Sequence, residues 1–306
     1  MLVSVFKALA DVSRLRIVGV LLHGTFTVQE LTTILGVGQS RISWHLKILT
    51  DAGLLSVNRQ GTWHYYQLSE SHEIFNAVRE LVERELPGIP EYVADCQIVA
   101  RIFDERRTRS RSFFDTVATQ WDVLARTLLP MPEYEPALLS LLPCCDRLAE
   151  VGVGTGALLV SLAEKASSVI GVDHSPAMLD EAKRKAGQFR PGGIDFRLGD
   201  MHHLPFPDAD LDSVVLNMVL HHAAEPQVVL REMRRVLRPG GLLLLAELQR
   251  HDNESAREQL ADQWLGFDGS ELNGWCMGAG FRSCECINVP TSAIGQTPVQ
   301  ILRAYA

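Results

Sequence analysis

Between residues 146 and 173 the chain reads Asp-Arg-Leu-Ala, then Glu150-Val-Gly-Val-Gly-Thr-Gly156, one apolar helical stretch, and Val169-Ile-Gly-Val-Asp173. Few folds accommodate that order. Three glycines at alternate positions let the backbone turn sharply out of a buried strand and approach a ligand with no Cβ in the way. The second strand then delivers a carboxylate. Asp173 lies 17 residues past Gly156, about where nucleoside-binding folds place the acid that holds a ribose hydroxyl pair. The dinucleotide fingerprint needs a different glycine spacing from Gly154-Thr-Gly156-Ala-Leu-Leu, and no Gly-Lys-Ser/Thr follows to make a triphosphate loop. A nucleoside site of another kind is expected.

The E-x-G-x-G-x-G form, with Gly199-Asp200 closing a third strand, resembles the class I S-adenosylmethionine (SAM) methyltransferases over roughly residues 110–306. Asn217-Met-Val-Leu-His-His222, Arg231-Glu-Met-Arg-Arg-Val-Leu-Arg-Pro-Gly-Gly241 and Leu242-Leu-Leu-Leu-Ala-Glu247 look like the UbiE-type small-molecule branch. The resemblance implies an α/β Rossmann-like domain with a central, mostly parallel seven-stranded sheet, SAM as cofactor and S-adenosylhomocysteine as product. Glu150, Gly152, Gly154, Gly156, Asp173, His174, Gly199, Asp200, Met201 and Asn217 are the expected cofactor residues. The methionine end is expected by the glycine loop, the ribose on Asp173 and the adenine beside Asp200 and Met201. Methyl transfer asks mainly for a nucleophile at attack distance in a dry pocket, and for a base only when the acceptor must lose a proton. Candidate catalytic residues are His222, just beyond the fourth strand, and Glu247 or His251, just beyond the fifth, because ligands sit at the carboxyl ends of such strands. Each is equally readable as structural. The acceptor is expected to be a small molecule that the sequence does not name.

The net charge of −8 is unevenly spread. Residues 1–68 carry six Lys/Arg against three acids, a balance of +3, which leaves about −11 for the rest. Such asymmetry points the amino-terminal part at a polyanion. Thr27-Val-Gln-Glu-Leu-Thr-Thr-Ile-Leu has apolar residues at helical intervals, with Thr27 and Glu30 spaced as a capping box. Gly36-Val-Gly38 breaks that helix, and a second runs from about Gln39 through Leu49 with Ile42, Leu46 and Leu49 as its inner stripe. Gln39, Ser40, Arg41, Ser43, Trp44, His45 and Lys47 are expected outside or at its ends, an inventory suited to a major groove. Leu54-Leu-Ser-Val-Asn-Arg and Thr62-Trp-His-Tyr-Tyr-Gln-Leu68, joined through Gln60-Gly61, form a β-hairpin or wing that offers Arg59 and His64.

Phe6-Lys-Ala-Leu-Ala-Asp-Val-Ser-Arg-Leu-Arg-Ile-Val and Val37-Gly-Gln-Ser-Arg-Ile-Ser-Trp-His-Leu-Lys-Ile-Leu-Thr-Asp-Ala-Gly-Leu resemble the ArsR/SmtB winged helix-turn-helix repressors, over about residues 1–85. The resemblance implies double-stranded operator DNA as partner and a homodimer formed through the first helix and one at about Ile74–Glu85. The chain departs from the family's metal sensors. Where they carry a Cys-x-Cys-type site it has Gln29-Glu-Leu-Thr-Thr33, and His72 stands alone in the dimerisation region. No metal is expected at those positions.

The expected organisation is a mainly α winged helix-turn-helix domain at 1–86, hinge and linker helices at 87–126, and the methyltransferase domain at 127–306. Pro87-Gly-Ile-Pro90 is the hinge, followed by a polar helix to about Arg126. Its Arg101, Arg106, Arg107, Arg109 and Arg111 read as a DNA-contacting extension or as a solvated face. Phe113-Phe-Asp-Thr-Val-Ala-Thr-Gln-Trp-Asp122 reads as a segment closing over the cofactor or as core packing. His202-His203 and His221-His222 are read as structural or substrate-lining, and the six unevenly spaced cysteines as free thiols. With 46% apolar and 22% charged residues, no uninterrupted apolar run long enough for a membrane span and no cleavable leader, a cytoplasmic protein without membrane contact is expected. Three functions stay open. They are a transcriptional regulator joined to a working small-molecule methyltransferase, a repressor that only senses SAM or S-adenosylhomocysteine, and an enzyme using its winged domain merely to dimerise.

Overall fold

In the computed structural model, which describes residues 2–60, 63–69, 72–128, 131–189, 193–291 and 295–306, the chain divides into two units, Met1–Arg106 and Arg107–Ala306. In the first, α1 (Leu2–Leu9) is followed by α2 (Val12–His23), which starts where Asp11 accepts a hydrogen bond from the Arg14 amide. β1 (Phe26–Thr27) leads into α3 (Val28–Leu35). The expected capping box is present: Glu30 N donates to Thr27 Oγ1, and Glu30 Oε2 accepts from Thr27 N. Gly36, at φ 65°, ends the helix in the left-handed region. α4 (Gln39–Asp51) then packs on α2 and α3 through Ile42, Leu46 and Leu49, all fully buried.

β2 (Leu55–Gln60) and β3 (Trp63–Leu68) pair antiparallel as the expected hairpin, with Arg59 opposite His64, and β1 adds a third strand beside β3. Gly61 and Thr62, between the two strands in sequence, lie outside the described residues. α5 (Glu73–Glu85) follows. Next comes α6 (Tyr92–Val117), whose Asp95 takes both Arg16 nitrogens at 2.7 Å in a bidentate pair.

The second unit is built on a sheet of order β6-β5-β4-β7-β8-β10-β9. α7 (Trp121–Leu128) and α8 (Glu135–Leu141) precede β4 (Cys145–Val151). The expected single polar helix to Arg126 is therefore two helices, broken between Val117 and Trp121. α9 (Leu159–Leu162), β5 (Ala166–Asp173), α10 (Pro176–Phe189), β6 (Ile194–Leu198) and β7 (Leu211–Asn217) follow. Then come α11 (Pro226–Val236), β8 (Leu237–Leu248), α12 (Ser255–Gln259), α13 (Gly269–Gly278), β9 (Ser283–Val289) and β10 (Val299–Tyr305). Strands β4 to β8 are parallel and β10 runs against both its neighbours. The inner strands are buried on both faces, as their near-continuous Leu/Val runs require. Their carboxyl ends, where β4 and β7 part to opposite neighbours, form the crevice in which such sheets bind ligands.

Candidate active site and nucleic-acid interface

The cleft of the second unit opens at those strand ends. Its walls include Glu150, Gly152 and Gly154 at the end of β4, Asp173 and His174 at the end of β5, Gly199 and Met201 just after β6, and Asn217, His221 and His222 at and after the end of β7. The loop glycines have different tasks. Gly152, at φ 72°, passes so near Val219 that a Cβ would lie 2.2 Å from Val219 Cγ2. Gly154, at φ 52°, faces open space, and its amide donates to Asp173 Oδ2 at 2.8 Å. Gly156 is instead pressed on Ala182 of α10, and Gly199 on Pro205 and Val172.

Asp173 Oδ1 accepts from the Ser175 amide at 2.9 Å. Two backbone donors thus fix a buried carboxylate while leaving lone pairs for a further partner. Burial pushes its carboxyl above the usual range, opposed by His174 and by those amides. Glu150 is also buried, and its Oε2 has no hydrogen-bond partner among the described residues. Burial, with Glu135 and Asp173 nearby, pushes its carboxyl up to about 8. A buried acid with a free oxygen, a backbone turn with open space, and a fixed second-strand carboxylate fit the amino group, chain and ribose of SAM.

The aromatic segment before β4 also reaches this cleft. Phe114 and Trp121 line it, their ring centroids 5.1 Å apart, and both rings face His222. Asp122 holds that segment to the glycine loop, accepting from Thr155 Oγ1 at 2.6 Å and from Lys185. Tyr134, which no sequence motif marks, donates to Asn217 Oδ1 at 2.9 Å. Asp200 turns to His202: partial burial raises its carboxyl, but His202 Nδ1 at 2.6 Å, the His202 amide and the charges of His202 and Arg107 together bring it down to about 2.

The three catalytic candidates separate. His222 lines the cleft, whereas Glu247 is fully buried behind His221, with its Oε1 2.6 Å from His221 Nδ1 and its Oε2 accepting from His221 N. His251 does not join the cleft lining, and its Nδ1 accepts from Asn253 N. Asp262, absent from the expected site, lines the cleft and is 4% exposed with neither carboxylate oxygen hydrogen-bonded among the described residues. It arrives because Gln263 N and Trp264 N both donate to His221 O at 3.0 Å, strapping the loop after α12 to the turn after β7.

In the first unit, Gln39, Ser40, Arg41, Ser43, Trp44 and Lys47 of α4 are exposed, as are Arg59 and His64 across the hairpin. His45 is the exception: it is 1% exposed, with neither ring nitrogen hydrogen-bonded among the described residues. Its position three residues after Ile42 and four before Leu49 puts it on the inner stripe. Burial lowers its pKa, against the raising effect of Asp11.

Two family models match the chain. Residues 149–245 match the one described as a methyltransferase domain, and residues 11–57 the one described as bacterial regulatory protein, arsR family. An ArsR-type winged helix-turn-helix domain is thus joined to a class I methyltransferase fold, the kind of domain that takes SAM. Among curated relatives, an uncharacterised 37.1 kDa protein in transposon TN4556 of Streptomyces fradiae is 33% identical over 56% of this chain and 46% of its own length. The demethylmenaquinone methyltransferase of Deinococcus radiodurans is 36% identical over 45% of this chain and 59% of its own length. The chain thus spans about half the length of these relatives. The solved [4+2]-cyclase SpnF is similar in fold, with a TM-score of 0.53 at 19% identity over 64% of this chain and 94% of that one. Among the described residues, no helix is long and apolar enough to cross a membrane.

Proposed function

We propose that this chain is an operator-binding transcriptional regulator of ArsR type joined to a SAM-dependent methyltransferase, UbiE-like, that acts on a small molecule in the cytoplasm. The observation that carries the enzymatic half is the convergence of Gly154, Asp173 and the unpartnered Glu150 oxygen at one end of a cleft that has His222 and Asp262 in its wall. When bound, SAM supplies an activated methyl on a sulfonium. In this reading Asp173 accepts from the ribose hydroxyls, Glu150 holds the cationic amino end, and Met201 and His174 flank the base. Phe114 and Trp121 exclude water. His222 touches the acceptor, and Glu247 is a positioning residue that acts through His221. The likeness to demethylmenaquinone methyltransferases supports a small organic acceptor.

For DNA, the exposed Arg41 and Lys47 on α4, with Arg59 and His64 on the wing, supply the donors that phosphates and base edges accept. Exposed Leu2, Val3 and Phe6 on α1, which packs beside α5 with its exposed Leu81, give an apolar face suited to a two-fold homodimer. Such a dimer reads an inverted repeat with half-sites about one helical turn apart. A second reading, ligand sensing without turnover, draws on the seclusion of Glu247 and His251 from the cleft and on a shared fold with a cyclase. Labelled SAM incubated with a metabolite panel, beside an operator-binding assay with no ligand, SAM or S-adenosylhomocysteine, separates the two. Transferred label supports the first reading. Ligand-dependent DNA affinity with no transferred label supports the second, and ligand-independent DNA binding without label contradicts both.

A further inference from the structure

His221, His222 and Asp262 each offer one ligand atom within 4.8 Å of the others, and all three are buried in the cleft wall. Asp262 Oδ1 lies 3.8 Å from His221 Nε2 and 3.5 Å from His222 Nδ1. Bonds of about 2.0–2.1 Å to a tetrahedral ion put its ligands about 3.4 Å apart. Both separations from Asp262 are thus close to those of a shared ion, and the third, within 4.8 Å, closes by a modest rotation of an imidazole. We propose that they form a binding site for a divalent transition metal of the Zn²⁺ class, with its open position toward the cleft.

Four further observations bear on this. Neither oxygen of Asp262 has a hydrogen-bond partner among the described residues, so the site leaves a buried carboxylate that an ion would satisfy, and His222 Nδ1, which faces it, has only a long 3.4 Å contact with Ala261 O to give up. Glu247 fixes His221 through Nδ1 at 2.6 Å, which leaves Nε2 as the nitrogen facing Asp262; carboxylate–histidine–metal sites are built this way. Glu247 and Asp262 bring two carboxylates into a buried part of the cleft wall, and a dication held on neutral imidazoles would balance both. Ala261, just before Asp262, sits at φ 59°, a conformation that costs a non-glycine residue energy and is retained where the surrounding structure demands it. Two histidines and one carboxylate match ions of intermediate softness rather than Mg²⁺ or Ca²⁺. Three protein ligands leave room for an oxygen of the methyl acceptor, whose proton such an ion would make easier to lose. The inference requires only these side chains and stands apart from whether methyl transfer occurs.

The test uses the full-length protein, stripped with chelator and titrated with Co²⁺, whose visible ligand-field absorption reports a low-symmetry N/O site. One equivalent per chain should bind and be displaced by Zn²⁺. His222→Ala and Asp262→Asn should each abolish the absorption, while Glu247→Gln, acting from behind His221, should weaken affinity about 10–100-fold. Replacing Cys276, Cys284 and Cys286 together by serine should change nothing. Circular dichroism and SAM affinity, measured on the same samples, establish that each variant is folded; should one fail, the remaining ligand variant and Glu247→Gln decide. No saturable absorption, or absorption unchanged in the folded ligand variants or lost with the cysteines, overturns the proposal. SAM affinity retained in such a sample leaves the cofactor reading intact.

Discussion

Glu247 Oε1 and His221 Nδ1 lie 2.6 Å apart in a part of the second unit that water does not reach, since Glu247 is fully buried and His221 is 4% exposed. The same carboxylate accepts from the His221 and Leu248 amides. Glu247→Ala therefore strips three donors of their acceptor at once. Removing one partner of a buried pair costs about 3–5 kcal/mol. Urea unfolding should show a loss of that order for Glu247→Ala and a smaller one for Glu247→Gln, which keeps an acceptor oxygen. Equal stability of parent and alanine variant would mean that the pair is not formed.

Glu150 gives a pH dependence of definite sign. Its carboxyl is raised from 4.5 to about 8 by burial, then by Glu135 and Asp173, so the folded chain holds a proton that the unfolded chain has released across that window. Stability should accordingly fall as pH rises between about 4.5 and 8, by up to about 1.4 kcal/mol per unit. Glu150→Gln should flatten that slope. If Glu150 meets a cationic amino group, SAM affinity should rise toward pH 8 in the parent and stay flat in the variant. An unchanged slope of stability in Glu150→Gln would contradict the assignment.

His45 provides a contrasting case in the first unit. Burial lowers its pKa, with Asp11 Oδ1 3.9 Å away raising it and Arg14 and Arg41 lowering it further. Because the unfolded chain takes up the proton more readily, stability is present above about 6.5 and is lost as pH falls below it. His45→Leu keeps the apolar stripe and removes two unpartnered nitrogens, so it should add about 1 kcal/mol at neutral pH and weaken the acid-side decline. Thermal unfolding from pH 5 to 7.5 checks both. A destabilised leucine variant would mean that the ring makes a contact worth keeping.

The exposed face of α4 predicts salt-dependent binding. Arg41→Ala/Lys47→Ala should weaken binding to a selected operator, and Lys47→Ala alone, if it contacts phosphate, should reduce the log–log salt slope by about one per half-site. Anisotropy titrations from low to physiological salt read both. Unchanged affinity of the double variant would remove α4 from the interface.

Sequence alone exposed the parts of this molecule that depend on backbone geometry and local period. Gly152 and Gly154 are legible because a left-handed turn at the end of a buried strand requires glycine, and the Thr27–Glu30 box because its two hydrogen bonds close within one turn. His45 was misread for a reason of register. A polar residue at i+3 from Ile42 falls on the inner stripe as surely as Leu46 does, and composition outweighed position. Asp262 left no signal at all, since it reaches the cleft only through hydrogen bonds from Gln263 and Trp264 to His221 O, a contact across more than 40 residues. Glu247 is expected just beyond its strand but lies within β8, and whether its carboxylate faces ligand or His221 is decided by the neighbouring strand and turn. Likewise, Tyr134 owes its place to a hydrogen bond with Asn217, 83 positions away.

The cleft at the ends of β4, β5 and β7 is proposed to bind SAM with Asp173 on the ribose. Calorimetric titration of SAM into the full-length protein and into Asp173→Ala tests it most directly. Saturable binding near one equivalent per chain is predicted for the parent, and a loss of about 2–3 kcal/mol for the variant, which forfeits a charged acceptor for two hydroxyls. No heat of binding in the folded parent, or the same affinity in both proteins, would contradict the account.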